Sequence, residues 1–547
     1  MELLVASLGL AVVLVVGAFG APAADVEVAA AYRWCVPEEL RSNCSRLTSV
    51  AGVRIACVGG VDRMDCLRKV RNREADYLMA DPEDLYVAMH MENQDFLVFA
   101  EQRSLEEPTA PFRYEGIMLV RAADGFQSLA DLRGKKSCHT GFGRNVGYKI
   151  PVARLQRAGL LKLPGANDGE LSSVERELSA LSELFSASCL PGSYSPHADI
   201  DRLLKQRYAS LCQRCDAPEQ CGKQDKYAGY EGAIRCLVEN GGDVAFTKTI
   251  FVRKYFGLPV TPGGTAKPAL NPAARPEDFA YLCEDGTTRP IADGTPACSW
   301  AQRPWQVLLG NGDLRGDGAR ELQTLTQQLE RYYTGANSEP AAVSLRINSA
   351  TPLANREQLV SPGDYLNKAN YVEVIEREGS YRSTIRLCVT SESERQKCEQ
   401  MRQAAYSRDI RPAFRCLLKT EEACIAAVRS GEEVNAVVLK KHSSQLKPIV
   451  SEVYSDGSAN NNDIKQASQG DTSTRAAVHV RPDEDEAVQD SIVHAFIALS
   501  ETFGVGKGNA QVFRLFGPFR LPNQEELARN LIFHDNAIGL IALGKNL

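Results

Sequence analysis

Neither sign of charge dominates this chain. Its 63 Lys and Arg stand against 69 Asp and Glu, a net −6 over 547 residues. A balance that mild gives no reason to expect a nucleic-acid partner. Long apolar runs are nearly absent. One run, Leu3 to Ala21, ends near Ala21-Pro22-Ala23-Ala24, and no second run could span a bilayer. The final residues, Gly544-Lys545-Asn546-Leu547, lack the apolar tail of a lipid-anchor signal. The single run reads as a secretory signal peptide over residues 1–24, with small residues at the cut. It lacks a positive leading region, since Glu2 is the only early charge, and its length also suits an uncleaved anchor. With cleavage, the mature protein is expected outside the cell, secreted, monomeric and without a membrane span.

Reaction signatures are missing as well. No Gly-Lys-Ser/Thr closes a Walker loop, and no Ser–His–Asp or Cys–His arrangement is legible. Cys212-Gln213-Arg214-Cys215 has zinc-like spacing, but no matching CxxC follows it. The chain is not expected to be an enzyme.

Cysteine is plentiful: sixteen, an even count, spread along the chain. Behind a signal peptide, that reads as an oxidised, disulfide-stapled protein. Cys35, Cys44, Cys57 and Cys66 form one set, and Cys388, Cys398, Cys416 and Cys424 form a second with similar spacing. The pattern is an internal repeat, so two related lobes are expected. From Val53 to Phe256, strand-like runs such as Val53-Arg54-Ile55-Ala56-Cys57 alternate with helix-like stretches such as Cys66-Leu67-Arg68-Lys69-Val70. The alternation predicts α/β domains with mixed sheets. The Gly/Pro-rich stretch from Thr261 to Pro276 reads as a surface loop. The polar stretch 455–476 is too poor in apolar residues to bury a core and reads as a loop.

One stretch organises the rest: Arg133 to Tyr148, RGKKSCHTGFGRNVGY. Strand-like Tyr114-Glu115-Gly116-Ile117-Met118-Leu119-Val120 precedes it, and a helix-like run from Lys149 follows. Thr140 is a candidate N-cap, and Gly141 and Gly143 would let the backbone approach a ligand. Such a helix start aims N–H groups at an anion, with Arg144 as a forked partner. An ordinary strand–loop–helix turn around a disulfide cysteine fits the glycine spacing equally well.

Gly134-Lys135-Lys136-Ser137-Cys138-His139-Thr140-Gly141-Phe142-Gly143-Arg144 resembles the anion-binding segment of the transferrin family. The resemblance implies a bilobal fold like that of periplasmic binding proteins, with two α/β domains per lobe. It places the first domain at 28–111 plus 305–375 and the second at 112–304, with the chain crossing near Pro111–Tyr114 and Pro304–Gln306. The remainder, 382–547, would be a shortened second lobe. The family pattern implies the pairs Cys35–Cys66, Cys44–Cys57, Cys138–Cys236, Cys189–Cys215, Cys212–Cys221, Cys283–Cys298, Cys388–Cys424 and Cys398–Cys416.

The resemblance also implies a cargo, Fe(III) held with a synergistic carbonate or bicarbonate. Ferric iron is hard and favours oxygen ligands. By motif, the metal ligands would be Asp81, Tyr114 and Tyr230, the last in Gly229-Tyr230-Glu231-Gly232-Ala233-Ile234-Arg235-Cys236. Alone, Asp81 would read as a helix N-cap and Tyr114 as packing at a strand start. Thr140, Arg144 and the backbone N–H groups of Val146 and Gly147 would hold the anion. The family's His ligand falls at Gln306, a weak ferric donor suited to the outer shell, and insect members of the family share this lack. A water or a second anion could then complete the coordination. In the second lobe the counterpart of Asp81 is Lys440, which would repel a metal, and nothing there matches the anion segment. His442 nearby reads as a solvated surface residue. One iron per chain is expected, for transport or for withholding iron from microbes, with a cell-surface receptor as a possible partner. Two competitors remain: an iron-free interaction or immune protein keeping the fold, and an enzyme, such as a ferroxidase or hydrolase, using the cleft. Asn43-Cys44-Ser45 is a glycosylation sequon with a cysteine inside it.

Overall fold

The computed structural model describes residues 32–543, apart from 93–94, 165–170, 261–263, 348–352, 378–383, 442, 455–474, 523 and 525. The signal peptide, His442 and nearly all of the polar stretch 455–476 lie outside the described residues. No helix among the described residues is long and apolar enough to cross a membrane.

Three mixed sheets carry the chain, in keeping with the expected α/β class. The first runs in the order Leu353–Val360, Phe96–Gln102, Gln306–Asn311, Tyr77–Ala80, Tyr32–Pro37, Ile55–Gly60. Its inner strands are short apolar runs because helices cover the sheet, and a doubly covered strand has no polar face to alternate. Helix Gly316–Tyr332 covers part of it. Leu322, Leu325 and Leu329 recur at helical spacing and pack with Trp34, Tyr77 and Phe99.

The second sheet runs Thr288–Pro290, Phe279–Leu282, Tyr114–Arg121, Val244–Lys248, Lys136–His139, Ala187–Cys189, with Ala301–Arg303 pairing on Tyr114–Arg121. The chain passes from the first sheet to the second between Gln102 and Tyr114 and returns between Arg303 and Gln306. Tyr114 pairs with Arg303, so the outgoing and returning strands lie side by side.

The third sheet repeats the first. Its order is Ala413–Leu418, Thr384–Val389, Ala436–Leu439, Ala477–Val480, Lys447–Val453, Gly539–Ala542. Read back from its Gly539–Ala542 edge, parallel and antiparallel pairings follow in the same sequence as in the first, and both sheets are irregular in register at the same strand pair, at Leu308/Leu309 and at Pro448/Val450. Cys35 pairs with Leu78 in the first sheet, as Cys388 pairs with Val437 in the third. Where the first repeat sends residues 103–305 through the second sheet, the third has only the short connection between Val453 and Ala477.

Eight disulfides use all sixteen cysteines, and none is free. They join Cys35–Cys66, Cys44–Cys57, Cys138–Cys236, Cys189–Cys215, Cys212–Cys221, Cys283–Cys298, Cys388–Cys424 and Cys398–Cys416, the same pairs the family pattern implies. Cys138–Cys236 ties strand Lys136–His139 to helix Gly229–Glu239 across 98 residues of chain. Closing a loop that long removes about 4–5 kcal/mol of unfolded-chain entropy.

Candidate metal centre

Asp81 sits between strand Tyr77–Ala80 and helix Pro82–Met89. Pro82 fits there because the first helical N–H has no intrahelical partner to lose. The backbone N–H of Asp81 donates to Asp84 Oδ2 at 2.9 Å. The Asp81 carboxylate points into a cluster of donors. Arg63 Nη1 reaches Oδ2 at 2.6 Å, Arg346 Nη1 lies 3.4 Å from Oδ1, and the Gln306 amide donates to Oδ1. Burial pushes the carboxyl up, but Arg63, Arg346, Arg303 and the Gln306 amide outweigh it, leaving Asp81 well below the usual carboxylate range. Asp81 is therefore an ionised, nearly buried oxygen pair, and Gln306 is its hydrogen-bond donor.

Tyr114 opens strand Tyr114–Arg121, and Tyr230 lies in the first turn of helix Gly229–Glu239. Gly229 carries a φ of 85°, the left-handed conformation that starts this helix. Lys248 ends strand Val244–Lys248, and its Nζ lies 3.9 Å from the centroid of each tyrosine ring. One ammonium thus bridges both phenols. Burial, with Arg113, Arg303 and Arg144 nearby, lowers the Lys248 pKa to about 8. Tyr114 is raised by burial, against the opposing pull of Arg303 and the Asn145 amide. Asn145 Nδ2 donates to Tyr114 Oη at 2.9 Å and to Tyr371 Oη at 3.1 Å. Tyr371 in turn donates to Glu83 Oε1 at 2.8 Å, and Arg303 holds Glu83 Oε2 at 2.8 Å.

The organising stretch forms strand Lys136–His139, a glycine loop, a wide helical turn Asn145–Lys149 and helix Ile150–Arg157. Thr140 is not the N-cap expected from the sequence, because helical geometry begins only at Asn145, with Arg144 before it. The Thr140 side chain turns inward instead. It is fully buried, and its hydroxyl has no hydrogen-bond partner among the described residues. Gly147 makes this approach possible, since a Cβ there would lie 2.1 Å from Thr140 Oγ1. At the start of a helix the amides of Val146 and Gly147 have no intrahelical acceptor. His139 is buried and braces this turn. Its Nδ1 lies 2.7 Å from the Gly147 carbonyl and its Nε2 lies 2.8 Å from Ser137 Oγ, and burial lowers its pKa to about 4. Neutral imidazole, donating from Nδ1, satisfies both contacts.

The structure therefore brings Tyr114 and Tyr230 together through Lys248, and Asp81 together with Gln306. No hydrogen bond among the described residues joins Asp81 to either tyrosine. Arg303 stands between them, acting electrostatically on both Asp81 and Tyr114. Sequence reasoning missed Lys248, which closes strand Val244–Lys248. It also missed Asn145, Glu83, Arg303 and Tyr371, whose residue types carry no signal until the two sheets meet. Cys189, Cys215 and Asp225 cluster elsewhere, but the two sulfurs are bonded to each other and offer no thiolate. In the third sheet, Lys440 follows strand Ala436–Leu439 as Asp81 follows Tyr77–Ala80, and it pairs with Glu394 at 3.0 Å.

Two sheets joined by paired crossing strands, with carboxylate and phenol oxygens and a glycine-built cradle between them, define a two-walled binding protein. The transferrin family model matches residues 32–332 and 385–463. Over 434 residues the chain is 48% identical to a transferrin of Sarcophaga peregrina, covering 77% of this chain and 67% of that one. It is 42% identical to a transferrin of Blaberus discoidalis, covering 78% of this chain and 58% of the other. A solved structure of transferrin 1 from Manduca sexta superposes with a TM-score of 0.83, at 30% identity, over 94% of this chain and 97% of that one. The chain belongs to the transferrin family.

Proposed function

We propose that the protein reversibly binds one Fe(III), with carbonate, in the cleft between the first and second sheets. The observation that carries the reading is the buried, unpartnered Thr140 hydroxyl beside Gly147, where a side chain would leave no room. Thr140, Arg144 and the amides of Val146 and Gly147 would hold the anion. Asp81 from one wall, Tyr230 from the other and Tyr114 on the crossing strand would supply oxygen ligands. Ferric iron displaces the phenol protons, so a tyrosine raised by burial still serves as phenolate once the metal arrives. Gln306, donating to Asp81, would orient the carboxylate from outside the coordination sphere. The walls would be the domains expected at 28–111 plus 305–375 and at 112–304, and ligands from both would favour closure over the metal. With the leading apolar run cleaved, the setting is extracellular, for iron transport or sequestration.

Ferric titration with and without bicarbonate tests this. A visible phenolate–Fe(III) band that needs bicarbonate is the expected result. A colourless protein under both conditions would favour an iron-free interaction protein instead.

A further inference from the structure

The third sheet's domain has no counterpart of the proposed ligand set among the described residues, yet one of its turns touches both walls of the cleft. Helix Glu392–Ser407 packs beside Pro82–Met89, the helix that Asp81 precedes, and Tyr406 stacks on Tyr86 with ring planes 22° apart. The next two residues diverge. Arg408 pairs with Asp84, whose side chain is fully buried. Asp84 also receives Arg63 Nη1 at 3.0 Å, and the same guanidinium holds Asp81. The order Arg408–Asp84–Arg63–Asp81 therefore runs unbroken from the third domain to the first wall. Asp409, at a φ of 67°, turns the other way. It meets Lys149 Nζ at 3.4 Å and Arg377 Nη2 at 2.7 Å, and Arg377 also pairs with Glu177 of helix Ser173–Leu184. Lys149 closes the wide turn whose amides form the anion cradle.

We propose that Arg408 and Asp409 form a clasp, by which the domain without a site holds both walls of the cleft and slows release of its cargo. Adjacent residues on one tight turn cannot follow two walls that separate, so opening must stretch one contact or the other. Both contacts are poorly hydrated, which makes breaking either one costly. The link to cargo release rests on the iron reading given above, whereas the clasp rests on the contacts alone.

The test uses the full chain with Arg408→Gln, Lys149→Gln and, as a control, Arg395→Gln, which breaks an exposed pair with Glu392 on the same helix. Hydrogen exchange in the iron-free protein should speed up over 82–89 in Arg408→Gln and over 145–157 in Lys149→Gln, and stay unchanged in the control. The visible band of the loaded protein should decay to a chelator about fivefold faster in both clasp variants, at fixed pH and bicarbonate. Should Arg408→Gln fail to fold, Lys149→Gln, at a side chain 20% exposed, still decides. Wild-type exchange in Lys149→Gln over 145–157 would overturn the clasp. A wild-type protein with no visible band would overturn the iron reading, while exchange would still judge the clasp.

Discussion

The first and third sheets have the same order, the same pairing and the same cysteine staples, yet the strand that leads to the proposed ligand in one leads to a lysine in the other. Tyr77–Ala80 leads to Asp81, held ionised among arginines; Ala436–Leu439 leads to Lys440, paired with Glu394. The fold needs only the buried strands and the disulfides. The proposed site needs, in addition, a second wall, and the third sheet has only the chain between Val453 and Ala477 where that wall would be inserted. On the proposed site, a repeated scaffold could keep its fold without the metal chemistry, because the two rest on different residues.

The sharpest way to break this comparison is to remove a ligand on one side and add one on the other. Tyr230→Phe should weaken and shift the visible band, leaving only the Tyr114 phenolate, and lower iron retention by at least about a hundredfold, since even outer-shell partners of a metal cost about 10–100-fold. Lys440→Asp should gain no iron, because no counterpart of the two tyrosines or of the anion segment is present among the described residues of that domain. Metal analysis of both variants and of the wild type checks this, with one iron per wild-type chain expected. Two tightly held irons would show that the short connection replaces the missing wall.

A second prediction separates the cradle from mere positive charge. Arg144→Ala should weaken iron retention at least tenfold more than Lys136→Ala, because a charge-assisted contact contributes about 1.5–3 kcal/mol. Lys136 is exposed on a strand end. Equal losses in the two variants would move the anion away from Arg144.

Much of this contrast was legible in the sequence. The cysteine repeat marked the two related lobes, the family resemblance picked out Asp81, and the strand Val437-Val438-Leu439 set Lys440 against it. Strand–helix junctions are readable because the apolar run stops where the cap begins. Thr140 misled because a wide turn delays the helix to Asn145, and no sequence pattern distinguishes that turn from an ordinary one. Arg63, Arg346 and Arg303 stayed invisible for another reason. They are commonplace residues hundreds of positions apart in part, and only the crossing strands collect them around Asp81.

Acid should expose a likeness between the halves. His139 beside the cradle and His494 in helix Glu486–Phe503 are both lowered to about 4, chiefly by burial. A depressed folded pKa means that the unfolded chain takes up the proton first. The stability each contributes is complete above about pH 6.5 and is lost as pH falls towards 4. His139→Gln keeps a donor for the Gly147 carbonyl without the titration, so it should flatten the fall in melting temperature over that window, by several degrees. His494→Gln should do the same for the third domain. Unchanged slopes in both variants would mean that other groups govern acid stability.

The smallest effect is expected at Gln306, where the comparison with His-bearing family members narrows to one side chain. Its amide donates to Asp81 Oδ1, so at neutral pH it competes with nothing and helps keep the carboxylate oriented. In Gln306→His, a neutral imidazole can reach the same space and donate a lone pair to the metal, which should strengthen retention a few-fold, about 1 kcal/mol or less. Below about pH 6.5 the imidazole gains a proton and turns towards Asp81 as a cation, adding to Arg63 and Arg346 there and leaving the metal. Retention in the variant should therefore cross below that of the wild type between about pH 7 and 5, whereas the wild-type curve has no step from position 306. The measurement is iron retention against pH for both forms at fixed bicarbonate and chelator. Superimposed curves would place residue 306 beyond reach of the metal even when it carries a ligand, and would leave Asp81 as the sole contribution of the first wall.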